Sequence, residues 1–187
     1  MLIPNQIKER AGKIRLLVLD VDGVLTDGTL VYGPNGEEVK HFNVKDGVGI
    51  KLLAYYDIAV AIISAKDSLP LKKRIADLSI THVYTGCKDK LKALDELKNL
   101  LAIDYSEVAY CGDDVIDLKV MKQVGLAVAP QDAYHLVKDH AHIVTQVLGG
   151  KGVAREVADI LLSSRMNLQD AYVKAMLPEF EEAFKKS

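Results

Sequence analysis

Three carboxylates follow an apolar run in LLVLDVDGVLTDG, residues 16–28: Asp20, Asp22 and Asp27. None can be buried as an ion without a compensating charge, so core formation does not account for them. A polar turn after a strand would explain the composition, and a cation-binding edge would explain the spacing as well. Crowded carboxylates raise one another's pKa unless a cation compensates. An oxygen-only donor set without His or Cys suits Mg²⁺ rather than zinc. Mg²⁺ keeps several waters and completes its shell with one or two carboxylates and a phosphate oxygen, so a phosphorylated substrate is expected with it. One aspartate can then attack phosphorus and form an aspartyl phosphate. A carboxylate two residues on can protonate the leaving oxygen and later activate water. Asp20 and Asp22 have that spacing.

The elements that must position these groups are legible in the apolar pattern. Short runs rich in Val, Ile and Leu recur at 14–19, 58–63, 81–84, 107–111, 125–129 and 141–144, as in strands covered on both faces. Helical patterns at about 46–56, 68–78, 88–102, 115–123 and 132–139 lie between them. This alternation predicts an α/β fold, a doubly wound, Rossmann-like parallel sheet with helices on both faces. The exception is TLVYGPNGEEVKHFN (29–43), where two alternating segments flank Gly33-Pro34-Asn35-Gly36. That turn signal predicts a small β-hairpin inserted after the first strand. From Gly149 to Ser187 the pattern is mostly helical, with Pro178 breaking or restarting the helix and a tail over about 165–187. In doubly wound sheets, ligands collect outside the carboxyl ends of strands where the strand order reverses. Asp20 and Asp22 end the first strand, Ser64 the second and Cys111-Gly112-Asp113-Asp114 the fourth. Acids and a hydroxyl should therefore converge on one edge.

The 187 residues suit one domain spanning 1–187. Lys and Arg number 24 against 26 Asp and Glu, so no general attraction for nucleic acid or an anionic membrane is expected. Only Cys87 and Cys111 occur, and no basic-then-apolar signal opens the chain. No apolar run approaches the roughly 20 residues that span a bilayer. A reducing cytoplasmic setting and two structural cysteines are expected.

DVDGVLTDG, the serine of IISAKDS, Lys90 in GCKDK, and CGDDVID resemble, in that order, the four motifs of haloacid dehalogenase-superfamily phosphatases, over about residues 14–160. The resemblance implies Asp20 as nucleophile, Asp22 as general acid/base, Ser64 as hydrogen-bond donor to the phosphate and Lys90 as charge clamp on the phosphoryl group. It further implies Mg²⁺ held by Asp20, Asp113 and the backbone carbonyl of Asp22, with Asp114 supporting the metal from outside its shell and Asp117 orienting Lys90. Phosphoryl transfer relies chiefly on positioning and charge neutralisation, in keeping with such a set. Read singly, these residues are bland. Lys90 would be a solvated lysine heading a helix, Ser64 a helix cap, Asp117 an exposed residue one turn into a helix, and Asp27 a turn stabiliser.

Neither gap in which this superfamily inserts a cap domain is long enough for one: about thirty residues separate Asp27 from the second strand, and a helix and a strand fill the stretch from Ser64 to Lys90. An uncapped site lies open unless a neighbouring subunit covers it, so a homo-oligomer is expected. The spacing of Val173, Met176, Leu177, Phe180 and Phe184 gives the tail an apolar face to bury. The capless frame, the hairpin, FNVKDGVGI, GGKGVARE and the helical tail are similar to the 3-deoxy-D-manno-octulosonate 8-phosphate phosphatase family. That similarity implies a sugar-acid phosphate substrate, a homotetramer, and a step in lipopolysaccharide precursor biosynthesis. The family shows Thr-Gly-Arg where this chain has Ser64-Ala65-Lys66, and a lysine lacks the bidentate fork that suits a carboxylate. Lys66 and Arg74, the latter matching a family arginine, are expected to read the substrate's carboxylate. His41, Lys45, Asp46 and Gly47 are expected to shape the substrate site. Two other readings stand beside this one: a phosphatase of nine-carbon sugar-acid 9-phosphates, a branch that carries lysine near this place, and a receiver-type phospho-accepting domain, which would lack the Asp22 partner.

Overall fold

The structure, a computed structural model, describes residues 4–177. In chain order, α1 (Asn5–Gly12) leads into β1 (Leu16–Leu19), and the hairpin strands β2 (Val31–Gly33) and β3 (Gly36–Val39) follow. Next come α2 (Val44–Tyr55), β4 (Ala59–Ile63), α3 (Leu69–Asp77), β5 (His82–Tyr84), α4 (Lys90–Leu101) and β6 (Val108–Cys111). The chain continues through α5 (Leu118–Met121), β7 (Leu126–Ala129), α6 (His135–His140), β8 (Ile143–Val144), α7 (Val153–Ser163) and α8 (Leu168–Ala175).

The six strands outside the hairpin form one parallel sheet in the order β5-β4-β1-β6-β7-β8. The chain therefore winds outward from β1 through β4 to β5, then returns to the other side of β1 as β6. The reversal falls between β1 and β6, which sets the crevice where Asp20 and Asp113 emerge. The sheet is covered on both faces. Along β1, Leu17 and Leu19 join Leu52, Leu53, Leu71, Val157 and Leu161 of α2, α3 and α7. Leu16 and Val18 point the other way, into Leu94, Leu97, Val120 and Val137 of α4, α5 and α6. All four residues of β1 are buried, which is why the strand reads as a continuous apolar run rather than an alternating one.

The hairpin is a separate two-stranded sheet. Leu30, Val31, Tyr32 and Val39 are exposed on and beside it.

Two local differences from the sequence pattern have physical causes. α1 is absent from the pattern because, among its eight residues, only Ala11 is buried. The helical pattern at 115–123 resolves into a 3₁₀ turn, Val115–Asp117, and the short α5. Asp114 and Asp117 cap that turn reciprocally, and the tighter winding brings the Asp117 side chain inward. Pro178, Phe180 and Phe184 lie outside the described residues. Among the described residues no helix is long and apolar enough to cross a membrane.

Candidate active site

Asp20 is the first residue past β1, and its N–H donates to the Cys111 carbonyl at 3.0 Å, which extends the β1–β6 pairing to the crevice. The residue is 5% exposed, and its carboxylate lies 2.8 Å from Nζ of Lys90. Burial, with Asp117 adding repulsion, overcomes the pull of Lys90 and lifts the Asp20 pKa to about 6.

Asp117 accounts for the placement of Lys90. Its Oδ1 accepts hydrogen bonds from Lys90 Nζ at 2.7 Å and from the Tyr110 hydroxyl at 2.6 Å. Its Oδ2 accepts the N–H groups of Asp113 and Asp114 at 3.1 and 3.3 Å. Both Asp117 oxygens are thereby occupied, although Asp20, Asp113 and Asp117 all place carboxylate oxygens within 4.8 Å of one another. Burial alone would lower the Lys90 pKa, but Asp20 and Asp117 hold it above its ordinary value. Lys90 is thus a permanent cation wedged beneath the crevice.

Asp113 is pushed up to about 7 by burial first, then by Asp20, Asp117 and Asp114. A divalent cation held between two such carboxylates would offset their repulsion. The donors are oxygens, which suits a hard ion. With Asp117 engaged elsewhere, Asp20 and Asp113 are the carboxylates that fit it. Gly23 belongs to the same packing: at φ +84° it turns the chain back over the crevice, and a Cβ there would fall 2.0 Å from Asp113 Oδ2.

Ser64 is the first residue past β4 and is 1% exposed. Its Oγ accepts the N–H of Lys66 at 3.2 Å, which leaves its own proton to donate. Asp114 is exposed and its Oδ1 accepts the Val115 N–H at 2.7 Å. Asp27 accepts the Thr29 N–H at 2.9 Å and so braces the entry to the hairpin; that bond holds its pKa down. Cys111 is fully buried and burial pushes its thiol well up, which is the state of an inert thiol.

The groups expected around the substrate fall into separate places. Lys66 reaches the hairpin, its Nζ 3.4 Å from the Tyr32 hydroxyl and 5.7 Å from the ring centroid. Arg74 is turned to the start of α2, donating to the Asn43 carbonyl at 3.2 Å and lying over Phe42. The two cations have different partners. Asp46 and Gly47, expected beside the substrate, are used by the fold. Oδ1 of Asp46 accepts the Arg155 N–H at 3.0 Å and caps α7, whose N-cap residue, Gly152, has no side chain to do so. Burial, partly offset by that bond, lifts Asp46 to about 6. Gly47 lets Leu78 and Arg74 approach α2. His41 and Asp27 line an open pocket of about 380 Å³ together with Asn43 and Lys151; Lys45 is exposed.

Two residues at the site carried no signal in the sequence. Tyr110 sits in the apolar run of β6, where only its hydroxyl distinguishes it. Lys40 closes the hairpin with a wholly buried side chain, and its Nζ donates to Asp22 Oδ1. Burial pulls its pKa down, but Asp22 and Glu37 hold it above the ordinary value.

The crevice opens at the switch point of the sheet, and the buried Lys90 bridges the carboxylates of Asp20 and Asp117. The family of haloacid dehalogenase-like hydrolases matches residues 75–157. The chain is 49% identical, over 87% of its length and 86% of the relative's, to the 3-deoxy-D-manno-octulosonate 8-phosphate phosphatase of Escherichia coli K12. The crystal structure of the Yersinia pestis enzyme of that name superposes with a TM-score of 0.87 at 47% identity, covering 89% of this chain and 90% of that one. The Moraxella catarrhalis phosphatase, solved with magnesium, phosphate and KDO bound, gives a TM-score of 0.88 at 35% identity over 94% of this chain and all of that one. The chain belongs to the 3-deoxy-D-manno-octulosonate 8-phosphate phosphatase family.

Proposed function

We propose that the protein is a Mg²⁺-dependent phosphatase that hydrolyses 3-deoxy-D-manno-octulosonate 8-phosphate to the free sugar acid and inorganic phosphate. The observation that carries this reading is the pair of buried, hard-to-ionise carboxylates, Asp20 and Asp113, set beside the Lys90 ammonium at the sheet's switch point. Its relatives act on that substrate by name, and one of them holds magnesium, phosphate and KDO.

In the first half-reaction a carboxylate oxygen of Asp20 forms a bond to phosphorus as the bond from phosphorus to the sugar oxygen breaks, and Asp22 gives that oxygen its proton. In the second, Asp22 takes a proton from water as the water oxygen attacks phosphorus and the bond to Asp20 breaks. Inorganic phosphate leaves and both aspartates are restored. Lys90 and the Ser64 hydroxyl bind the equatorial oxygens of the transferring group, where charge must be neutralised. Asp117 keeps Lys90 at that place. Asp20, Asp113 and the Asp22 carbonyl would hold Mg²⁺, which when bound neutralises phosphoryl charge and relieves the repulsion between the carboxylates.

Residues 1–187 form one capless unit in this reading, acting in the cytoplasm on a lipopolysaccharide precursor. The uncapped crevice and the apolar side chains exposed around the hairpin support a homotetramer in which the hairpin and C-terminal segment line or cover a neighbour's site. A monomer by light scattering at micromolar concentration would overturn the shared site. The function itself is tested by phosphate release over sugar phosphates with Mg²⁺, including eight- and nine-carbon keto acids. The eight-carbon substrate should give the highest kcat/KM, chelation should stop turnover, and Mg²⁺ should restore it. Asp20→Asn should fold and release no phosphate; turnover by that variant would refute the assignment.

A further inference from the structure

Lys40 stands where the hairpin rejoins the chain, directly after β3. Its side chain is 0% exposed, so its ammonium reaches neither solvent nor a substrate at the mouth of the crevice. Its Nζ donates to Asp22 Oδ1 and lies 2.5 Å from Glu37 Oε1. Glu37 is itself nearly covered, with 8% of its side chain exposed, whereas a quarter of the Asp22 side chain, 25%, stays open. One ammonium therefore ties the hairpin to the loop after β1, and the tether ends on the group assigned to proton transfer.

Burying an ammonium is unfavourable unless it is paired, and a buried pair adds little stability over an apolar contact of the same volume. What such a pair supplies is geometry. Asp22 lies in the turn just beyond β1, whose backbone is tied to the Val21 carbonyl, while its side chain is partly open and takes its bond to a cation from Lys40. An isolated hairpin is marginal in water; this one touches Lys66 through Tyr32, and Lys40 adds a bond from its base to the loop that carries Asp22.

We propose that Lys40 is a positioning residue for proton transfer, holding Asp22 through Oδ1 so that its remaining oxygen faces the leaving group, and thereby making the hairpin part of the reaction machinery. The inference rests on the reading of Asp22 as general acid/base. Lys40 itself gives and takes no proton.

The consequence is a dependence on leaving group. An alkoxide departs only when protonated, whereas p-nitrophenolate departs unaided. Loss of alignment at Asp22 should thus slow alkyl phosphates far more than p-nitrophenyl phosphate, with kcat/KM reporting the step up to departure. The experiment measures kcat/KM of Lys40→Met on the sugar-acid phosphate, glycerol 2-phosphate and p-nitrophenyl phosphate, with thermal shift on added Mg²⁺ as a readout independent of activity. The ratio of the aryl to the alkyl rate should rise about tenfold or more, within the range that a positioned acid contributes. Lys40→Arg should return part of that ratio, and the Mg²⁺-induced shift should persist. An unchanged ratio, whether or not both rates fall, would overturn the proposal, because a structural role lowers both together. If Lys40→Met does not fold, Lys40→Gln is read in the same way. Asp22→Asn separates the two layers. If it raises the ratio and Lys40→Met does not, the role of Lys40 falls alone; if it leaves the ratio unchanged, the general-acid reading falls with it.

Discussion

The ammonium of Lys90 lies 2.7 Å from Oδ1 of Asp117, and both partners are buried. Lys90 is the first residue of α4 and Asp117 the last of the 3₁₀ turn after β6, so one bond joins the start of one crossover to the start of another. The pair is fixed from behind by the Tyr110 hydroxyl and from below by two backbone N–H groups. Lys90 is then free to present its remaining valence to Asp20.

Removing one member of a buried, hydrogen-bonded pair leaves the other uncompensated, at a cost of about 3–5 kcal/mol. Asp117→Ala should lose stability on that scale in urea unfolding and should lower kcat severely, since Lys90 would settle on Asp20 alone. Asp114→Ala, which removes an exposed cap on the same turn, should cost only about 1 kcal/mol. Equal losses from the two variants would contradict this account of Asp117.

Those contacts mark the limit of what the sequence discloses. The sheet and its switch point are legible because β1, β4, β6 and β7 are covered on both faces and leave continuous apolar runs. Asp20, Asp22 and Asp113 are legible because they stand just beyond those runs. Lys40 is not, and Asp46 and Asp117 stand out only through the family resemblance, because the reason for burying a charge is a partner far off in the chain. Lys40 meets Asp22 across 18 residues, Lys90 meets Asp117 across 27, and Asp46 meets the Arg155 N–H across 109. The charged surface of α1 conceals a helix for the opposite reason, having almost nothing apolar to display.

The raised carboxylates fix a sign for pH. Asp113 at about 7 and Asp20 at about 6 bind protons more tightly in the folded, metal-free protein than in the unfolded chain. Their contribution to stability is therefore fully present below the unfolded carboxylate pKa and is lost as pH rises through the folded values. Mg²⁺ acts in the other direction, because it binds the ionised form. The rise in Tm on adding Mg²⁺ should be small near about pH 5 and grow toward about pH 8. Asp113→Asn should flatten that growth. A Mg²⁺ shift independent of pH would mean that the metal does not compete with these protons.

Gly23 offers a purely steric test of the metal site. An alanine there would place Cβ 2.0 Å from Asp113 Oδ2, besides straining a backbone at φ +84°. Gly28 has nearly the same φ, +77°, but its Cβ would meet nothing closer than 3.7 Å. Both substitutions should lower Tm. Only Gly23→Ala should also raise the Mg²⁺ concentration needed for half-maximal activity, by about tenfold or more, as displacing groups that orient metal ligands does. A matching rise in Gly28→Ala would assign the effect to backbone strain alone.

Lys66 stands two residues beyond Ser64, with its backbone N–H on the serine oxygen and its ammonium against Tyr32 of the hairpin. A cation so placed lies beside the phosphate donor with its side chain turned to the hairpin, and the expectation that it reads the substrate's carboxylate can be tested directly. Arg74 is engaged with the Asn43 carbonyl, so the two cations should not be equivalent. Truncating one partner of a desolvated charge pair costs roughly 2–5 kcal/mol, and a contact at an open rim far less. Lys66→Ala should lower kcat/KM for the sugar-acid phosphate by at least about tenfold relative to its effect on p-nitrophenyl phosphate, which has no carboxylate to read. Lys66→Arg should keep or improve activity on the eight-carbon substrate, because the planar fork matches a carboxylate better than an ammonium does. Arg74→Ala should show a smaller substrate preference and a larger loss of Tm, as befits a residue that braces the start of α2. Equal effects of Lys66→Ala on both substrates would place the lysine outside carboxylate recognition.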